Sequence, residues 1–363
     1  MTSAYDSDAP PGASFDSSNS QVFDSKPFIF SGRGSEYFRI WIVNMLLSLV
    51  TLGIYSAWAK VRRNRYFYDN TSLAGSSFDY HGNPHAILKG RIIAVVMIGL
   101  YHLGPRIAPW VGVVMFLLLV AAWPWLIWKS LQFKLYNSSY RGIRFGMQGK
   151  LGTAYFVYLI LPILTLITAY LLAPFTHQRI KRFQHNASQF GDTSFSFHAT
   201  VGSFYRLYLK LIVAAFGMFF LLIFFYAMAT WMSGFLMMLM TDFWVKSILG
   251  MGLSYAAFAM LYPLYLTLTQ NLIWSNTRLG EHQFRSQMKW RRMAWIWVSN
   301  LVLIAVTLGL FMPFATIRSL RYRIESMTLL PASDLSEFIA ASEASGSPVG
   351  EGMTDLLDFD LSL

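Results

Sequence analysis

Between Pro109 and Trp128 the chain runs for 20 residues without a single charge. Wound as a helix, such a stretch covers about 30 Å, the thickness of the hydrocarbon layer of a bilayer. Further apolar stretches occupy residues 92–103, 211–228 and 248–269, and another begins at Tyr37. Charged residues make up only 13% of the chain, against about 25% in soluble globular proteins. A soluble fold of this size would need more polar surface than these residues offer, so a bilayer is the expected solvent. There is no cysteine, which excludes disulfides, thiolate metal sites and a cysteine nucleophile. The first residues are rich in Ser, Asp and Pro and have no apolar core, unlike a cleavable signal peptide.

A short pattern organises the rest. It reads Asn70-Thr71 with Gly75 and Phe78, Asn137-Ser138 with Gly142 and Phe145, Asn186-Ala187 with Gly191 and Phe195, and Asn276-Thr277 with Gly280 and Phe284. Asn and Gly favour tight turns, and the aromatic alternation that follows has the period of a strand. Each is expected to be a turn entering a short strand. A longer unit is built on this pattern. The first copy runs from Phe28-x-Phe30 through Thr51-Leu52-Gly53-Ile54-Tyr55 to Lys60, Arg62, Arg63, Arg65 and Tyr66. The third runs from Phe284 through Thr307-Leu308-Gly309-Leu310-Phe311 to Arg318, Arg321 and Tyr322. The second starts at Phe145, has Ile167-Thr168-Ala169 at the Thr-Leu-Gly step, and ends in Arg179, Lys181, Arg182 and Phe183. Between the copies, residues 92–103 with 109–128, and 211–228 with 248–269, read as two helical hairpins.

Charge counting bears on topology. If all three repeat segments span, Lys and Arg divide 15 against 14 between the two sides. If each leaves and re-enters on one side, they divide 27 against 2. The positive-inside rule favours the second arrangement, with most loops in the cytoplasm. The expected fold is therefore mainly α and multi-pass. It comprises two spanning hairpins, three repeated apolar segments that can be re-entrant, and short β-hairpin-like strands on the cytoplasmic side. The expected organisation is an acidic disordered segment at 1–25, a membrane domain at 26–328 with repeats near 28–80, 145–197 and 284–328, and an acidic disordered tail at 329–363.

The residues Phe28-x-Phe30, the stretch Thr51-Leu52-Gly53-Ile54-Tyr55 with Trp58-Ala59, Asn70-Thr71 with Gly75 and Phe78, and Ile273-Trp274-Ser275-Asn276-Thr277 carry a resemblance. The chain resembles the YjgN-like family of bacterial inner-membrane proteins of unknown function over roughly residues 25 to 325. The resemblance implies a multi-pass protein of the bacterial cytoplasmic membrane and brings no active site with it. The second copy departs from the pattern at the Thr-Leu-Gly step.

No phosphate-binding loop, zinc-protease signature, dinucleotide fingerprint or serine elbow is present. No catalytic constellation, cofactor or metal site is expected. His81 and His85 stand four apart, but Gly82 and Pro84 place them in a turn. Five polar residues within apolar stretches, Asn44, Asn300, Thr51, Thr307 and Asp242, are candidates for a solute path or for helix packing. Lys246 stands four residues after Asp242 and is a helical ion-pair partner for it. The basic sets Arg62, Arg63 and Arg65, then Arg179, Lys181 and Arg182, then Arg318 and Arg321 are candidate contacts for anionic lipid or ligand. All 29 Lys and Arg lie between two acidic ends. The acidic tail can fold back on that basic face or recruit a protein, and the expected partner is an anionic bilayer rather than nucleic acid. Two functions fit: a small-solute transporter or channel, or a scaffold that binds anionic lipid without transport.

Overall fold

The computed structural model of the chain describes residues 24–232, 251, 260–335 and 337–340. Ten short strands carry the architecture. They are β1 (Lys26–Phe30), β2 (Thr71–Leu73), β3 (Ser76–Tyr80), β4 (Ser138–Tyr140), β5 (Ile143–Met147), β6 (Ser188–Phe190), β7 (Thr193–Phe197), β8 (Thr277–Leu279), β9 (His282–Ser286) and β10 (Met327–Leu330). Each hairpin turns on two residues. Ala74-Gly75 and Arg141-Gly142 both have positive φ, as type I′ turns require, while Gly191 and Gly280 supply the positive φ of the first turn residue. The sequence pattern thus marks true hairpin turns.

The strands close into one antiparallel barrel, in which β10 pairs with both β9 and β1. Four barrel hairpins are local, and the fifth is assembled from the two distant strands β1 and β10. The odd strands point Phe28, Phe78, Phe145, Phe195 and Phe284 inward. Their ring centroids lie 6.2, 6.5, 6.4, 6.1 and 6.4 Å apart in cyclic order, a closed pentagon of phenylalanines. Leu73, Tyr140, Phe190, Leu279 and Leu329 from the even strands complete the core. Alternate residues face out, and Ser77, Asp79, Arg144, Arg278 and Arg285 are exposed. The barrel is apolar inside and polar outside. At the turn end, Phe338 and Ile339 pack onto the core, and His282 Nδ1 accepts a hydrogen bond from Ala332 N at 3.1 Å.

Helices join the strands in pairs: α1 (Gly34–Val50) with α2 (Ser56–Asp69), α3 (Pro84–Ile107) with α4 (Pro109–Tyr136), α5 (Leu151–Ile167) with α6 (Ala173–Asn186), α7 (Val201–Met232) with α8 (Leu261–Trp274), and α9 (Trp290–Val306) with α10 (Met312–Glu325). Odd strands lead into helices and even strands receive them. All five pairs therefore leave from and return to one rim of the barrel, with the two-residue turns at the other. Among the described residues, α3, α4 and α7 contain stretches long and apolar enough to cross a membrane.

The three shorter pairs bend at apolar tips. Leu52 and Leu308 are each 94% exposed there. Thr51 Oγ1 donates to Leu47 O at 2.7 Å and accepts from Tyr55 N at 2.9 Å. Thr307 does the same with Leu303 O and Phe311 N, at 2.6 and 3.0 Å. Thr168 repeats the geometry with Leu164 O and Leu172 N, at 2.9 and 3.4 Å. Backbone bonds from Gly53, Tyr170 and Gly309 N to carbonyls five residues back close each turn. The polar backbone is thereby paired inside an apolar shell, as hydrocarbon demands.

This architecture corrects the expected fold. The strands are not separate hairpins beside a helical bundle but one closed ten-stranded barrel, because β1 and β10 bridge the remaining gap. Two spanning hairpins with three repeated segments give way to five helix pairs on a common rim. The alignment of the second copy also shifts by one residue. Thr168 stands where Thr51 and Thr307 stand, and Tyr170 takes the glycine position, with φ of 67° against 91° for Gly53 and 94° for Gly309.

Candidate functional site

In the first and last helix pairs a tyrosine fixes the barrel end. Tyr66 Oη accepts from Arg33 N at 2.8 Å and donates to Arg33 O at 3.0 Å. Tyr322 makes the same two-way link to Lys289, at 2.7 and 3.1 Å. Higher up, Asn44 Nδ2 donates to Ala59 O at 3.5 Å, and Asn300 Nδ2 donates to Ala315 O at 3.2 Å. These amides tie the outgoing helix of each pair to the returning one. Arg318 Nη1 then donates to Asn300 Oδ1 at 2.6 Å, and its Nη2 to Ser299 Oγ at 3.0 Å.

Between these two pairs lies a cavity of about 1260 Å³, bordered also by α3 and α8. Four cations line it: Lys60, Arg63, Arg91 and Arg323. Among the described residues, no carboxylate does. Arg91 donates to Ser56 Oγ, and Arg323 Nε donates to Gln270 Oε1 at 2.9 Å. The remaining wall mixes apolar and aromatic side chains, among them Trp41, Trp297, Leu301, Ile304 and Met312, with neutral polar ones such as Ser48, Asn64 and Thr316. Met312 opens α10 at the tip, whereas Arg323 stands near its barrel end. Arg63 and Arg323 thus stand towards the barrel, whereas Arg91 reaches Ser56 at the tip end of α2. Asn44 is 7% exposed, and its Oδ1 has no hydrogen-bond partner among the described residues. Chemically, this chamber suits a molecule with an anionic head and an apolar body.

The sequence-predicted residues separate into groups. Asn44, Asn300 and Arg63 share the cavity. Thr51 and Thr307 lie at the tips, where they cap backbone groups. Arg318 holds Asn300 and Ser299. Arg321 donates to Gly32 O at 2.7 Å and stands 3.9 Å from Glu325. Arg179 lies over the Phe175 ring at 4.9 Å, and Arg62, Arg65 and Arg182 are exposed. Lys181 lines a different, smaller cavity. Asp242 and Lys246 lie outside the described residues. The single basic face expected from the three sets is therefore divided among several environments. Sequence reasoning read Lys60 at the basic end of the first repeat without making it a candidate contact, and it missed Arg91 and Arg323, whose only signal was a cation within or beside an apolar helix.

Comparison with known proteins places the chain. Residues 25–356 match the family described as "Bacterial protein of unknown function (DUF898)". The chain is 35% identical over 148 residues to Inner membrane protein YjgN of Salmonella typhimurium, covering 40% of this chain and 37% of that relative. It is 31% identical over 155 residues to Inner membrane protein YjgN of Escherichia coli strain K12, covering 41% and 38%. The match spans less than two fifths of the length of either relative. No solved structure matches the chain.

Proposed function

This chain belongs to the DUF898, or YjgN-like, family of bacterial proteins, and from that membership we propose that it is an inner-membrane protein that binds an anionic phospholipid in the cavity between its first and last helix pairs. The observation that carries this reading is the lining of the chamber. Among the described residues, four cations and no carboxylate line it, beside a wall rich in tryptophan, leucine, isoleucine and methionine. An anionic headgroup would sit against Arg63 and Arg323, while acyl chains would lie along Leu301, Ile304 and Met312 towards the tips. A headgroup hydroxyl can donate to the unpartnered Asn44 Oδ1.

Membrane residence rests on the names of the relatives, on three helices of spanning length and on exposed apolar tips. We place the barrel on the cytoplasmic side. Its outer wall is polar, whereas a barrel wall facing lipid is apolar. Among the described residues, most Lys and Arg fall in the barrel or in the helix stretches that border it, with Lys60 and Arg106 further out. That distribution follows the positive-inside rule if the barrel faces the cytoplasm. All five helix pairs then insert from the barrel side and return to it. The similar turns of the three short pairs support an origin by duplication.

The pentagon of phenylalanines fills the barrel, which favours a binding chamber over a passage, and we read the protein as a lipid-binding platform without catalysis. The test is the phospholipid that co-purifies with the full chain in mild detergent. Anionic lipid should be enriched over the membrane average, and the enrichment should vanish in the Arg63→Gln/Arg323→Gln variant. Co-purified lipid of average composition would reject the reading.

A further inference from the structure

A second cavity, of about 450 Å³, lies where α4 and α6 reach the barrel. Lys181, Gln184, His185 and Ser188 line it from α6 and its junction with β6, at the three- and four-residue spacing that puts side chains on one helical face. Lys134 faces it from α4, and Phe145, Phe195 and Trp274 form the apolar floor. Lys181 Nζ donates to Gln184 Oε1 at 3.0 Å, a neutral acceptor, and among the described residues no carboxylate lines the space. Gln184 Nε2 is in turn held by Tyr158 Oη at 3.1 Å. The His185 ring lies between Phe197 and Trp274, at 5.3 and 5.6 Å.

Two ammonium groups sharing one half-buried wall repel each other. Burial and the neighbouring Lys134 charge both hold the Lys181 ammonium below the ordinary lysine value. A bound anion would relieve that repulsion. We propose that this cavity binds a phosphate monoester, its phosphoryl group between Lys134 and Lys181 and its organic body against Phe145, Phe195 and Trp274. A phosphate monoester carries a charge of about −1.5 to −2 at neutral pH, which matches two cations. A carboxylate would leave one of them uncompensated. The second amide proton of Gln184 Nε2 is a neutral donor beside the phosphoryl oxygens, while Ser188 Oγ donates its own proton to Gln184 O at 2.7 Å. This site shares no lining residue with the large cavity, so either can fail without the other.

Thermal unfolding of the detergent-purified full chain with phenyl phosphate, or with benzoate at the same concentration, tests the site. Phenyl phosphate should raise the midpoint of the wild type and of Arg278→Gln, a variant on the outer barrel wall, while benzoate should leave both unmoved. The upward shift should be lost in Lys181→Gln and in Lys134→Gln, and retained in Lys181→Arg. Short-chain phosphatidic acid, added as competitor, separates the sources: competition assigns a lipid phosphomonoester, and its absence assigns a soluble one. An equal shift in the two glutamine variants, or none in the wild type, would overturn the proposal.

Discussion

Phe28 and Phe284 face each other at 6.4 Å across β10, although 256 residues separate them in the chain. This contact closes the pentagon at the seam where the first strand meets the last. Replacing either ring with alanine removes a large side chain from a packed core, a change that costs about 3–5 kcal/mol. Phe28→Ala should therefore lower the unfolding midpoint of the detergent-solubilised protein about as much as Phe145→Ala, in mid-chain. A much smaller loss at Phe28 would mean that the seam is not closed.

The seam also shows how far the sequence could be read. The four hairpins were legible because a two-residue turn requires positive φ, and Gly75, Gly142, Gly191 and Gly280 supply it. The fifth was not, because Phe28 and Leu329 sit at opposite ends of the chain with no turn between them. A domain limit at 328 accordingly leaves Leu329, a core residue of the barrel, in the tail. The threonine of each apolar break was visible, but the register of the second was misread because Tyr170 occupies the glycine place. The charge sets after each repeat were visible as composition. Only the packing of α2 against α1 and its neighbours turns Lys60 and Arg63 to the same space as Arg91 and Arg323.

The tip turns give a second expectation. Thr51→Val or Thr307→Val keeps the shape and removes the hydroxyl that receives Tyr55 N or Phe311 N. An unpaired amide in an apolar setting costs about 1–3 kcal/mol. Tyr170→Gly should act in the opposite sense, because a left-handed non-glycine residue costs about 1 kcal/mol or more. Thermal melts followed by helical circular dichroism would read all three. A stabilising Thr→Val change would contradict the capping role.

Single-cysteine labelling tests the common rim. The chain has no native cysteine, and Lys150→Cys, at an exposed position, and Ser203→Cys supply the two labels. Both flank the helix rim of the barrel, after β5 and at the start of α7. An impermeant maleimide applied to intact cells should leave both unlabelled, and applied to inverted vesicles it should label both. Labelling from opposite sides would break the one-rim arrangement.

His282 should make the cap at the turn end sensitive to acid. Burial holds this imidazole below its ordinary value of 6.5, with Glu281 pulling weakly the other way. Its Nδ1 accepts from Ala332 N, and its ring meets Phe338 at 4.4 Å. The unfolded chain takes up a proton below about pH 6.5 before the folded one does, so stability is full above that pH and falls as the pH drops below it. Unfolding midpoints between pH 8 and pH 5 should decline in the wild type and decline less in His282→Gln. An identical decline in the variant would remove His282 from the explanation.

The cavity itself is tested most directly by native mass spectrometry of the full chain with equal amounts of phosphatidylglycerol and phosphatidylcholine. The wild type should retain a phosphatidylglycerol adduct in preference to phosphatidylcholine, and Lys60→Gln/Arg63→Gln should lose that preference. Equal retention of the two lipids by the wild type, or an unchanged preference in the variant, would contradict anionic-lipid binding at this site.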